Sequence, residues 1–169
     1  FYQYQLRFIY RLLFLMVIEE RNLIFPKDTP RKKRDIYYNY YSVSRIRKLS
    51  EKRYLADKKY SDVWMSLKNT FKLFEKEYYG GKLDIKPLAG DLFSANAIGM
   101  LNQCELDNKV MLECLTNLSV FTNPATQQKM RINYASLNVE EFGSVYEGLL
   151  EYDPVLDING DKVEFRFKS

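Results

Sequence analysis

The chain contains no histidine. That removes the commonest general base and the commonest metal ligand. Cysteine is almost as scarce. Cys104 and Cys114 form neither a CxxC nor a metal-ligand spacing. They read as reduced, largely buried thiols of a cytoplasmic protein, because nothing indicates the secretory setting in which disulfides form. No hydrophobic run reaches membrane length. Phe8–Ile18 is only about half of the ~20 residues that a span needs, and Arg11 interrupts it. Glu19-Glu20-Arg21 follows where a signal peptide would carry a small-residue cleavage site. There is no internal repeat and no low-complexity tract. Gly80-Gly81 and Gly143 follow no strand, so they form no dinucleotide-binding fingerprint. Glu75-Lys76-Glu77 falls on a predicted helix as a solvated charged face, not as part of a nuclease motif.

What is present fits one ordinary domain. The 169 residues are 46% hydrophobic and 28% charged, enough for a core. The chain opens at Phe1 inside a helical run and stops at Ser169 just after a strand-like segment. Both ends are therefore expected to be cuts in a longer polypeptide. The net charge of +4 is unevenly placed. Lys27–Lys59 holds twelve Lys/Arg against four Asp/Glu, a net +8, and the remainder sums to −4. Segment charge of this kind bears on partners more than the total does.

Periodicity predicts mostly helix. Phe1–Leu23 carries Leu6, Ile9, Tyr10, Leu13 and Val17 at helical spacing, with Arg7 and Arg11 on the one polar flank. Leu12, Phe14 and Met16 widen the apolar stripe, so this helix is expected to be covered on most sides and central. Pro26 and Pro30 mark Ile24–Tyr41 as a loop. Ser42 is the expected N-cap of a helix over Val43–Arg53. Ser61 or Asp62 starts a helix over Val63–Tyr79 that Gly80-Gly81 ends. Ser94–Leu101 forms a turn or two of helix. Asp107 caps Asn108–Leu118, with Val110, Met111, Cys114, Leu115 and Leu118 on one face. Val120–Tyr134 is a loop or a small hairpin. Val139–Tyr152 is the last helix, stopped by Asp153-Pro154. Asn159-Gly160 between alternating residues predicts a type I′ hairpin turn. The expected fold is mainly α: a helical bundle over residues 1–152, then a β-hairpin over 153–169.

Two segments invite a functional reading. In the first, Arg31, Lys32, Lys33 and Arg34, then Arg45, Arg47, Lys48, Lys52, Arg53, Lys58 and Lys59, interleave with Tyr37, Tyr38, Tyr40 and Tyr41. Cations neutralise phosphates and release counterions, and tyrosine hydrogen-bonds a phosphate or lies on a base. Arg45, Lys48 and Lys52 are three and four apart and so share a helix face. The DNA-contacting set expected here is Arg31, Lys32, Lys33, Arg34, Arg45, Lys48 and Lys52. A solvated helix face is the alternative. In the second, Leu137–Pro154 combines an amphipathic helix with Gly143 and Gly148. Each glycine costs about 1 kcal/mol against alanine in a helix interior, so close backbone approach is expected. Phe142, Gly143, Tyr146, Gly148 and Leu149 form the expected interface, either with another helix of this domain or with a further domain.

Four stretches carry a family resemblance: Tyr10–Leu23, Asp62–Phe74 (DVWMSLKNTFKLF), Leu88–Phe93 (LAGDLF) and Glu140–Pro154 (EEFGSVYEGLLEYDP). In order, they resemble the helical N-terminal or connector region of restriction-type, type IIG-like adenine-specific DNA methyltransferases, just before the catalytic domain. The resemblance implies a parent enzyme that uses S-adenosylmethionine and flips its target adenine. It also implies a fragment without chemistry: no catalytic, cofactor-binding or metal-binding residue. The family's Asn-Pro-Pro-Tyr/Phe motif has only its first two letters in Asn123-Pro124-Ala125-Thr126. The implied partners are the chain's own catalytic domain, double-stranded DNA, and a nuclease or specificity subunit. A helical module that docks a nuclease or helicase subunit without touching DNA is the second reading. A basic RNA-binding domain ranks last, since no RNA-recognition motif is present.

Overall fold

The computed structural model describes residues 1–159 and 162–168. Helix α1 (Tyr2–Glu20) is its axis. It buries Leu6, Phe8, Leu12, Leu13, Leu15, Met16 and Ile18 on several sides, as its wide stripe predicts. It ends earlier than Leu23. Asn22 turns left-handed, at φ 55°, and the Asn22 and Leu23 amides donate to the Glu19 and Ile18 carbonyls. This is the Schellman closure that satisfies orphan carbonyls at a helix end.

The stretch expected as a loop after Ile24 is half helix. Helix α2 (Arg31–Tyr40) begins directly after Pro30. Lysine and arginine are good helix formers, and Pro30 stands outside the helix, where it breaks no hydrogen bond. What holds α2 is Tyr37. Its ring is fully buried against Phe25 and Phe74, and its hydroxyl donates to the Glu19 carboxylate at 2.7 Å.

Helix α3 (Val43–Ser50) is capped by Ser42, as predicted, at 3.1 Å from the Arg45 amide. It stops at Ser50, short of the expected Arg53, and a 3₁₀ turn follows over Arg53–Leu55. Helix α4 (Asp62–Leu73) also ends early. After it the chain turns, so that the buried Phe74 packs on Phe93 and its carbonyl accepts from the Leu88 amide at 3.0 Å. A short helix α5 (Glu77–Gly80) then folds back. A Cβ on Gly80 would sit 2.2 Å from the Leu73 carbonyl oxygen, so only glycine permits this return.

Helix α6 (Asn108–Ser119) is capped by the Asp107 side chain, as expected. Its buried face is Met111, Leu112, Leu115 and Ser119; Val110 and Cys114 are exposed instead. Strands β1 (Val120–Thr122) and β2 (Lys129–Arg131) form the small hairpin. Helix α7 (Val139–Leu150) opens with an Asn138/Glu141 capping box. Strands β3 (Asp153–Asn159) and β4 (Lys162–Lys168) form an antiparallel hairpin. The turn predicted at Asn159-Gly160 lies outside the described residues. The architecture is mainly α with a C-terminal β-hairpin.

The high aromatic share has a structural use. Phe8, Trp64, Phe71, Phe93, Phe74 and Tyr37 form a continuous chain of tilted and edge-on rings, 5.2–6.2 Å apart. Such geometry suits the ring quadrupole. Arg11, expected on a polar flank, is buried within this cluster. Its guanidinium lies 5.1 Å from the Phe71 centroid and 5.5 Å from that of Phe93. It donates to the Leu92 and Ser94 carbonyls, both at 2.7 Å, and burial lowers its pKa to about 10.

Two adjacent carboxylates at the end of α1 bind the outer elements. Glu19 accepts from the Tyr37 hydroxyl, the Val43 and Ser44 amides and the Ser44 hydroxyl. It is buried, and burial pushes its carboxyl above the ordinary 4.5 against those four hydrogen bonds. Replacing it with alanine orphans several buried donors at about 1–3 kcal/mol each. Glu19→Ala should therefore cost about 3 kcal/mol or more in urea unfolding. The folded carboxyl keeps its proton to higher pH than the unfolded one. Its contribution to stability accordingly falls as pH rises from 4.5 to the raised value and is constant above it. Glu19→Gln should flatten that limb of a stability-against-pH curve.

Candidate functional site

The basic segment divides into structural and free cations. Arg34 donates to the Thr29, Pro26 and Lys27 carbonyls at 2.8–3.1 Å and so clamps the turn before α2. Lys33 pairs with Asp84 at 2.6 Å. Arg31 lies 3.6 Å from Asp35 in an exposed pair. Arg45 reaches α4 and donates to the Ser66 hydroxyl at 2.8 Å. Arg47 is fully buried, paired with Glu20 and lying 5.0 Å from the Tyr134 ring centroid. The face expected to carry Arg45, Lys48 and Lys52 does not form, because Lys52 lies beyond the end of α3 and Arg45 packs inward. Among the described residues, Lys32, Lys48 and Lys52 are exposed and make no ion pair. Arg53, Lys58 and Lys59 join them; sequence spacing singled out the helix instead.

The second candidate is α7 with the hairpin after it. Phe142 meets Tyr10 edge-on at 5.4 Å and Phe14 at 6.5 Å. Tyr146 meets Tyr10 at 4.6 Å. The Leu149 carbonyl accepts from the Tyr2 hydroxyl at 2.8 Å. These contacts set α7 on α1, yet no residue of α7 is fully buried. The glycine notch is not filled. A Cβ built at Gly143 or at Gly148 meets nothing within 4 Å. The close backbone approach expected within this domain is therefore absent, because α7 rests on bulky rings that hold it away from α1.

The hairpin register creates a feature that alternation alone did not single out. Leu156 pairs with Phe165 and Pro154 with Phe167, and Ile158 lies two residues beyond Leu156 on the same face. That face is open: Leu156 is 61% exposed, Ile158 69%, Phe165 51% and Phe167 51%. Its root touches the domain through Phe167, 5.7 Å from Tyr2 and 5.8 Å from Tyr152. The opposite face carries Asp153, Asp157, Glu164, Arg166 and Lys168, with an Arg166–Asp157 ion pair.

The remaining sequence candidates have local explanations. Asn123 accepts the Ala125 and Thr126 amides in the β1–β2 turn, so Asn123-Pro124 is turn chemistry. Cys104 is half-buried and Cys114 exposed, against the expectation of buried thiols, and both are free. Among the described residues no helix is long and apolar enough to cross a membrane. No group of three or more His, Cys, Asp or Glu is placed there to hold a metal ion. No family model, curated protein or solved structure matches this chain.

Two mutational outcomes test these assignments. Arg34→Ala should destabilise the domain by about 2 kcal/mol, while Lys32→Ala should stay within about 0.5 kcal/mol, measured by urea unfolding. Gly143→Ala and Gly148→Ala should each raise stability by roughly 0.5–1 kcal/mol, since the added methyl finds open space and the unfolded chain loses freedom.

Proposed function

We propose that this chain is a non-catalytic helical domain of a restriction-modification or phage-defence adenine-N6 DNA methyltransferase. It seats the catalytic domain on α7 and the β3–β4 hairpin. It touches the DNA backbone through the free cations among residues 27–59. The observations that carry the reading are the open apolar face of Leu156, Ile158, Phe165 and Phe167 and the unfilled Gly143 and Gly148 of the preceding helix. A two-stranded hairpin is marginal alone in water, and a contiguous exposed apolar face marks an interaction site. The resemblance of Glu140–Pro154 to the helix that precedes the family's catalytic domain supports that domain as the occupant.

S-adenosylmethionine belongs to that further domain. A site of the dinucleotide type needs a glycine-rich turn between a parallel strand and a helix. The described sheets are two antiparallel hairpins, with no such turn. The described residues do not form a site of that type.

Reading the frame beyond Ser169 is the direct test. A TG-x-Tyr/Phe-Tyr/Phe-TP segment followed by Asn-Pro-Pro-Tyr/Phe supports the proposal; a frame without them removes it. At the protein level, Leu156→Lys with Phe165→Glu, which places opposite charges directly across the strands, should abolish association with the catalytic domain while shifting this domain's own stability by less than about 1 kcal/mol. Retained association would overturn the seat. Lys48→Glu with Lys52→Glu should lower the enzyme's DNA affinity and its salt slope. The alternative, a module that docks a nuclease or helicase subunit without DNA contact, shares the apolar face. It predicts salt-insensitive protein binding and no DNA binding.

A further inference from the structure

The loop of residues 51–60 displays two tyrosines that the domain does not use. Tyr54 is 78% exposed and Tyr60 is 53% exposed. Among the described residues neither ring pairs with another aromatic; the Lys59 ammonium lies 5.3 Å from the Tyr60 centroid. The loop backbone between them is pinned. The Leu55 and Ala56 amides donate to the Lys52 and Arg53 carbonyls. Leu55 and Ala56 pack against the core. The Asp57 side chain takes the Lys59 amide at 2.8 Å, and the Tyr60 carbonyl accepts the Asn108 amide at 2.7 Å. Both rings are thus presented from an ordered frame, which lowers the entropy lost on binding.

Flanking them in the chain are Lys52, Arg53, Lys58 and Lys59, all exposed and without ion pairs among the described residues. The nearby carboxylates are mostly engaged. Asp57 holds the loop, Asp62 accepts the Asn108 side-chain amide, Glu105 accepts the Ser61 hydroxyl, and Asp107 caps α6. Glu51 and Glu113 are the exposed acids that remain; both line a groove with Arg53, and Glu113 also lies 3.9 Å from Lys109. Elsewhere in the basic segment, Lys33, Arg34, Arg45 and Arg47 bind groups of their own domain and Arg31 pairs with Asp35, while Lys32 and Lys48 stand exposed. Here the cations are left to solvent beside two bare rings.

We infer that this loop docks an unpaired nucleic-acid strand, with Tyr54 and Tyr60 stacking on bases and Lys52, Arg53, Lys58 and Lys59 contacting phosphates. Phosphate contacts alone do not distinguish single from double strands. A stacking ring does, because only an unpaired base offers its face, and duplex bases are already stacked on their neighbours. This inference shares its cations with the DNA contact proposed above, but it needs neither the methyltransferase identity nor the apolar seat on α7 and the hairpin.

The test is fluorescence anisotropy on the whole chain. The probes are oligo(dT) and oligo(U) of about 12 nucleotides and a duplex of matched length, at ~0.1 M salt. Either single strand should bind at least about tenfold more tightly than the duplex, since stacking contributes roughly 1–3 kcal/mol per base. Comparing oligo(dT) with oligo(U) separates DNA from RNA. Tyr54→Ala with Tyr60→Ala should remove about tenfold or more of single-strand affinity and less than about twofold of duplex affinity. Tyr54→Phe should retain the preference. Both rings are exposed, so an unchanged melting temperature shows that the variant is folded. Equal binding of duplex and single strand overturns the inference. So does unchanged single-strand affinity in the double alanine variant, or a preference for poly-glutamate over either oligonucleotide.

Discussion

The fold depends on two adjacent carboxylates placed where their own helix disfavours them. Glu19 and Glu20 end α1, at the negative pole of its dipole. Each compensates by serving another element. Glu19 reaches the first turn of α3 and accepts the Val43 and Ser44 amides, at that helix's positive pole. With Ser42 bound to the Arg45 amide, the first three free N–H groups of α3 are satisfied. The same carboxylate fixes Tyr37, and through it α2. Glu20 takes the buried Arg47 with one oxygen and the Ala135 amide with the other. Arg47 in turn donates to the Ser119 hydroxyl and the Ile132 carbonyl. One turn of α1 therefore positions α2, α3, the end of α6 and the segment leading to α7.

Three arginines extend the same logic along α1. Arg7 donates to the Ala97 carbonyl, Arg11 to those of Leu92 and Ser94, and Arg21 to those of Ala135 and Leu137. Irregular backbone has no ladder to satisfy its carbonyls. Here the central helix supplies the donors, and the loops packed on it keep one conformation. The result is a polar framework built on long side chains, buried at Arg11 and Arg47 and exposed at Arg7 and Arg21. It also explains why the basic segment is a poor guide to the charged surface. Arg34, Arg45 and Arg47 serve that framework, and the free cations concentrate in the loop after α3.

The two outward-facing regions differ in kind. The loop after α3 is anchored on the core and presents rings and cations. The α7–hairpin unit rests on α1 through four ring contacts and one tyrosine hydroxyl, and it turns an apolar sheet face outward. Among the described strand residues, charge lies on the opposite face, where Arg166 and Asp157 pair. One strand pair thus separates an apolar side from a polar one, and the polar side alone is suited to water.

Periodicity and caps were legible in the residues themselves. The wide stripe of α1, Ser42 and Asp107 as caps, the β3–β4 hairpin and the mainly helical class all follow from spacing and local hydrogen-bonding chemistry, while the residues of β1–β2 fit a loop as well as a hairpin. Helix ends were less legible. The stop at Glu20 needs a left-handed Asn22, and the stop at Leu73 needs Phe74 drawn into the aromatic cluster. Helix α2 was hidden because Pro30 and the basic run suggest solvent, while its stability comes from a single tyrosine buried against distant residues. Which arginines face inward, and whether Gly143 and Gly148 lie against a neighbour, were not readable at all. Local pattern determines which residues form an element, because hydrogen bonds within a helix or hairpin join residues close in sequence. Which of its groups are used inside the molecule and which remain for a partner is decided only when residues far apart meet, because burial and pairing of a charge depend on the surroundings that the completed fold provides.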